Sequence, residues 1–344
     1  MVSDSTLWKT LKVVITGNII SYQSFNKKEE MFGFLYSLDI PTLSDTTRQQ
    51  LEVNFTLEEV KSAIRSFPNG KACGPDGFGI KFYKAHINIL APLLLRMIND
   101  SITRGSFPDT LYDANICLLL KKGRDAGNAN DHIGMLIHSD QTGFIPERYA
   151  FSNTRRLLNV LYTTKLPRAA VLSLEAQQAF DQIEWNYMIC ALQKFSFGDR
   201  FMTMIKRLYS RPKSCVIINN NRSTPFQLHR GTRQGCCLSP ILFALALEPL
   251  AIAIRANQDI VGIKHGTSES IIGLYAHDVV LTLSDMEETI PPLLDPIKTF
   301  GQFSGFTINW EKSVLMPLSG NLNLQSVHNL PFKVAPDHLQ YLGI

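Results

Sequence analysis

The chain has 344 residues, of which 45% are hydrophobic and 19% charged, and its formal net charge is +4. This is apolar enough for a core and long enough for roughly two lobes; a positive balance this slight is compatible with a nucleic-acid partner without arguing for one. The six cysteines form no C-x-x-C pair, which speaks against a zinc site or a disulfide framework and makes a reducing compartment the default. No charged segment followed by an apolar run opens the chain, so an intracellular protein is expected, cytoplasmic or nuclear and not secreted.

Residues 1–50 show no clear period and read as a peripheral helical extension. Thr56 followed by Glu59 is a capping box, and Val60, Ile64 and Phe67 continue one face of a helix that Pro68-Asn69-Gly70 ends. A Gly- and Pro-rich turn over 71–78 precedes a long apolar helix predicted from Phe82 to Ile102. Asn115 to Leu120 is a strand candidate running into the basic Lys121-Lys122-Gly123-Arg124. Ala169 to Leu174 reads as a buried strand, and Trp185 to Phe197 as a helix. Strands follow at Ser214–Asn219 and Thr224–Leu228 about a loop at 220–222. Ser239 and Pro240 suit the N-cap and first position of a helix. The apolar stretch from Cys236 to Ile254 is interrupted by Ser239-Pro240 and Glu248-Pro249, which marks a core helix rather than a membrane span. Next come two short strands about the tip Tyr275-Ala276-His277-Asp278, a helix near Ile290–Phe303, and an amphipathic strand Phe306–Trp310. The order suits an α+β layer with helices on one face of the sheet.

Four blocks carry the chemistry. Leu174-Glu175-Ala176-Gln177-Gln178-Ala179-Phe180-Asp181 follows a strand, and Arg233-Gln234-Gly235-Cys236-Cys237-Leu238-Ser239-Pro240 precedes a helix. The third block is the Tyr275–Asp278 tip and the fourth is Gly305–Ser313. Each alone has an ordinary explanation, such as an acidic strand end or a capped helix; four in this order are hard to explain that way. They resemble the palm of reverse transcriptases from non-LTR, LINE-type retrotransposons. The likeness extends upstream through Gly70–Phe78 and Asp140-Gln141-Thr142-Gly143-Phe144, and downstream to Tyr341-Leu342-Gly343-Ile344.

The resemblance implies a right-hand polymerase with an antiparallel palm sheet: a helical extension at 1–50, fingers at 51–165, palm at 166–344, no thumb and no preceding endonuclease. It implies attack of a primer 3′-hydroxyl on a deoxynucleotide triphosphate along an RNA template, with two Mg²⁺ ions (or Mn²⁺) clamping the reacting oxygens. No membrane partner is implied. Three carboxylates normally serve in catalysis, and they fall on Glu175, His277 and Asp278. Glu175 and Asp278 are therefore the implied metal ligands. Phe180, Gln234, Gly235, Lys121 and Lys312 fall on nucleotide-binding positions; a core Phe and a solvated Lys explain Phe180 and Lys312 equally well.

Several departures point to a degenerate copy. Glu175 carries its charge about 1.5 Å further out, one carbon–carbon bond. His277 replaces a carboxylate with an imidazole, a poor ligand for Mg²⁺. Cys237 stands in place of a usual Pro. His132 aligns with a triphosphate-binding Arg, and only Gly134–Ser139 separates that block from Asp140, so a fingers segment is missing near 133–139. The expectation is a catalytically impaired reverse transcriptase domain, and the alternative is a non-catalytic nucleic-acid-binding relic.

Overall fold

A computed structural model describes residues 26–69, 77–117, 133–218, 221–232, 236, 238–266, 268–319, 330–335, 338–339 and 341–342. The predictions at Lys121, Lys122, Arg124, His132, Gln234, Gly235 and Cys237 lie outside these residues, as does the Gly70–Asp76 turn.

Helix α1 (26–37) is not peripheral. Met31 and Leu35, one turn apart, are buried in the main core, and Ile40 and Leu43 follow them there. Helix α2 (Asp45–Glu52) then docks on the core through its last residue. The N-cap of α10 (Asp199–Leu208) is Gly198, which has no side chain to offer. Glu52 takes over that role, accepting the amides of Arg200 at 2.8 Å and Phe201 at 3.2 Å. A Cβ at position 198 would lie 2.3 Å from the Glu52 carboxyl, so a larger residue there would displace the Glu52 side chain from its cap.

The capping box at Thr56 and Glu59 forms, and α3 spans Leu57–Ser66. The long helix expected from Phe82 is two helices, α4 (Ile80–Ala85) and α5 (Ile87–Arg104), broken at His86. A short helix α6 (Asp109–Tyr112) leads into β1 (Asp113–Cys117), which pairs in parallel with β3 (Lys213–Ile218). Asn221–Arg222, expected as loop, is a short strand β4 against β3, and β5 (Phe226–Gln227) pairs with β3 as well.

The main sheet has five strands. β2 (Ala170–Leu174) lies at its centre, between β9 (Asp278–Leu283) and β10 (Val314–Pro317); β8 (Ile272–Tyr275) and β11 (Lys333–Val334) form the edges. All pairings are antiparallel except β10 with β11. The predicted strand over 306–310 is only a single bridge, Ala176 with Ile308; the strand proper comes later, at β10. A small hairpin, β6 (Ile263–His265) and β7 (Ser268–Ser270), precedes β8.

One face of the sheet, carrying Leu172, Leu174, Val279 and Leu281, packs into the main core with α9 (Trp185–Lys194), α11 (Ser239–Ala256) and α12 (Met286–Ser304). α11 is apolar all round and buries every residue from Ile241 to Ala251. It is one unbroken helix despite Pro249, and it starts one residue earlier than expected: Leu238 is the N-cap, and the Ser239 hydroxyl is buried without a hydrogen-bond partner. By length and composition α11 is apolar enough to cross a membrane, yet 72% of it is buried inside the fold. Helices are not confined to one face. α7 (Ala150–Thr163) lays Leu157 against Val171 and Val280 on the opposite side, because its apolar positions 157, 160 and 161 form a stripe that must be covered.

Candidate active site

The two carboxylates share one end of the palm-like strand pair. β2 and β9 are paired from Ala170 opposite Leu283 to Leu174 opposite Val279. Glu175 directly follows β2 and Asp278 opens β9, so both carboxylates lie at the same end of this strand pair. Alternation turns both away from the core face that holds Leu174 and Val279. Their side chains are 42% and 37% exposed. Glu175 is fixed through its backbone: its amide donates to the Ser313 hydroxyl at 3.2 Å, and its carbonyl accepts the Asn309 amide at 2.8 Å. The same turn brings Lys312, whose Nζ lies 3.0 Å from Glu175 Oε1.

Asp278 starts β9 after a two-residue turn, Ala276-His277, with Tyr275 opposite Asp278. Ala276 has φ +55°, the left-handed region that suits a tight hairpin but is strained for a residue with a Cβ. His277 Nε2 is 3.9 Å from Asp278 Oδ1, and His277 Nδ1 is buried without a hydrogen-bond partner.

Asp140–Phe144 holds this strained turn. The Gln141 amide accepts from Ala276 N at 3.0 Å and donates to Ala276 O at 3.3 Å, closing both backbone groups of the turn residue. Gln141 Oε1 also accepts the Gly143 amide at 2.9 Å. Leu274 exchanges backbone hydrogen bonds with Asp140 and Thr142, both at 2.9 Å, and Asn153 of α7 donates to Leu274 O at 2.8 Å. Gly143 lies flush against the hairpin, where a Cβ would fall 2.1 Å from Ala276 N. Nothing in the motif's spacing announces this clasp; it emerges only in three dimensions.

Arg148 secures the clasp from behind, donating to the carbonyls of Gly134, Ile137, His138 and Gln141 at 2.6–2.9 Å. Asp140 is paired with Arg156 at 2.7 Å and with His138 Nδ1 at 2.8 Å. Behind them, Glu248 in α11 contacts Arg255 at 2.5 Å and accepts the His138 amide at 3.3 Å. Burial pushes the Glu248 carboxyl above its ordinary value, outweighing the pull of Arg255. Sequence reasoning passed over this pair, although a Glu and an Arg two helical turns apart in an otherwise apolar helix were a legible signal. In the stretch 133–139, read as the scar of a deletion, Leu136 and Ile137 are buried in the main core while Met135, His138 and Ser139 are exposed.

Phe180, expected either at a nucleotide-binding position or as a core Phe, sits on the short helix α8 (Ala179–Gln182). Its ring stacks on Phe243 of α11 at 4.3 Å, and its surroundings include His277 and Phe144, both edge-on at 6.0 Å. It thus closes the core and faces the tip. Its carbonyl accepts from Thr232 N at 2.6 Å.

Among the described residues no group of three or more His, Cys, Asp or Glu side chains converges on a metal position. Glu175 and Asp278, both half-exposed at one end of the β2–β9 pair, are hard oxygen donors of the kind a divalent cation takes. The imidazole at 277 supplies no such oxygen, and Lys312 already neutralises Glu175. The residues present therefore fit one ion and not a pair.

The family model described as reverse transcriptase (RNA-dependent DNA polymerase) matches residues 119–344. The chain is similar to the "Transposon TX1 uncharacterized 149 kDa protein" of Xenopus laevis, at 30% identity over 300 residues, covering 80% of this chain and 23% of that protein. It is also similar to the Retrovirus-related Pol polyprotein from the type-2 retrotransposable element R2DM of Drosophila melanogaster, at 23% identity over 345 residues, covering 88% of this chain and 32% of that one. It thus spans a third or less of the length of these relatives. Telomerase from Candida albicans, in complex with a TWJ fragment of telomeric RNA, overlays 52% of this chain and 31% of its own at TM-score 0.38 and 10% identity, too slight a likeness to carry any argument. The motif order, the α+β fold and the match over 119–344 agree: the chain belongs to the reverse transcriptase family, as a domain of the LINE-type, non-LTR retrotransposon kind.

Proposed function

We propose that this chain carries a nucleotidyl-transfer site for RNA-directed DNA synthesis, impaired relative to an intact copy. Residues 51–165 serve as fingers and 166–344 as palm, RNA template and DNA primer are the partners, and deoxynucleotide triphosphates are the substrates. The observation that supports this most is that the β2–β9 ladder, ending at Leu174 opposite Val279, brings Glu175 and Asp278 to the same end of the sheet. These two residues would hold one divalent cation, Mg²⁺ by their hard-oxygen chemistry with Mn²⁺ as a substitute. When bound, it supplies positive charge against triphosphate oxygens.

The remaining work belongs to the chain's own residues. Gln141 keeps the Ala276 turn in its strained form and so fixes where Asp278 begins. Lys312 offers a second positive charge beside Glu175. Phe180 presents an aromatic edge beside the tip, where bulk excludes a ribose 2′-hydroxyl. Lys121, Gln234 and Gly235 keep the nucleotide-binding roles that the motif likeness gives them. His277 costs the site a negative charge and a hard ligand, a loss of at least ~10³-fold in rate on the scale of one preorganised electrostatic group.

Primer extension on an RNA template with Mg²⁺ or Mn²⁺ tests the reading. The unmodified chain is expected to give a trace of product, and His277→Asp combined with Glu175→Asp to raise it at least ~10²-fold. No product from either chain, with RNA binding retained, contradicts catalysis and leaves the nucleic-acid-binding relic.

A further inference from the structure

From the outward face of α7 we infer a second nucleic-acid contact: a stacking platform for single-stranded RNA or DNA beside the tip hairpin. The inner face of this helix is committed. Leu157 and Val160 are buried, and Asn153 holds Leu274 of the hairpin. The outer face carries large apolar side chains left in water: Phe151 is 70% exposed, Leu158 42% and Tyr162 85%, with Tyr149 just before the helix at 70%. Positions 151, 158 and 162 fall within a narrow stripe of the helix, and Arg155 lies between them. At 1.5 Å per residue the stripe runs roughly 16 Å, on the order of five nucleotides at about 3.4 Å each.

Charge selects the occupant. From Arg148 to Arg168 the chain has no Asp or Glu, and its basic residues are Arg148, Arg155, Arg156, Lys165 and Arg168. Three are engaged by the chain itself: Arg148 on carbonyls, Arg156 on Asp140 and Arg168 on Asp285. Arg155 and Lys165 are exposed and enter no ion pair among the described residues. Exposed aromatics interleaved with unpaired cations along a helix that carries no acid, with the exposed Glu147 lying before it, match a strand whose bases stack and whose phosphates need countercharge. An apolar protein partner would leave both cations unanswered. The platform rests on the nucleic-acid partner proposed above but on none of the chemistry at Glu175 and Asp278.

Fluorescence anisotropy with a short labelled single-stranded RNA, and with DNA of the same length, tests it on the full chain. Phe151→Ser with Tyr162→Ser is expected to weaken binding by tenfold or more, with circular dichroism and the thermal transition unchanged. Arg155→Gln is expected to lower the slope of log affinity against log salt by about 0.7; as a single exposed change it keeps the test decisive if the double variant does not fold. Unchanged affinity in these variants overturns the platform, even if self-association by sedimentation changes instead, which marks a protein contact. No binding by the unmodified chain overturns the nucleic-acid reading itself, a separate result.

Discussion

Two segments far apart in the chain are stapled to distant backbone by one side chain each, and they differ in what the staple protects. Gln141 is 1% exposed and closes both polar groups of a strained turn. Glu52 caps α10 in a partly exposed position and merely seats α2 on the core. A buried donor left without a partner costs its full desolvation, whereas an exposed one is resolvated by water. The hairpin end of the molecule is therefore intolerant of change, and the α2 docking is forgiving.

That contrast can be broken most forcefully at Gly143. Gly143→Ala drives a methyl into the Ala276 backbone and is expected to cost at least ~3 kcal/mol, with Gln141→Ala close behind at roughly 2–3 kcal/mol, both read as lowered thermal midpoints. Tyr341, packed with Leu157, Val171 and Val280 on the same side of the sheet, sharpens the comparison through pH. Burial, with the Asp278 charge assisting, pushes its phenol up to about 12. The fold therefore favours the neutral phenol: its contribution is intact below pH ~10 and lost as pH rises toward 12, about 2–3 kcal/mol in all. Tyr341→Phe is expected to remove that part of the alkaline loss in denaturation curves taken across this range. Glu52→Ala is the mildest, about 1 kcal/mol, with RNA binding and primer extension unchanged.

Much of this was legible beforehand. Alternating and β-branched runs marked β2, β8 and β9, and Thr56 with Glu59 marked the start of α3, because these signals are local. The strand over 306–310 misled, since its alternation fits a segment that only bridges Ala176 before turning to deliver Lys312. The split at His86 and the depth of α1 depend on tertiary packing that no local pattern reports. At the site, motif order named Glu175 and Asp278, but not that Lys312 pairs with the first or that Gln141 holds the turn before the second. Both are contacts across more than 130 residues of chain.

The most direct measurement is Mn²⁺ titration by electron paramagnetic resonance on the unmodified chain, Glu175→Ala and Asp278→Ala. About one bound ion per chain, weakened at least ~10-fold by either substitution, is the predicted result. Equal Mn²⁺ binding in all three chains contradicts a shared cation between these two residues.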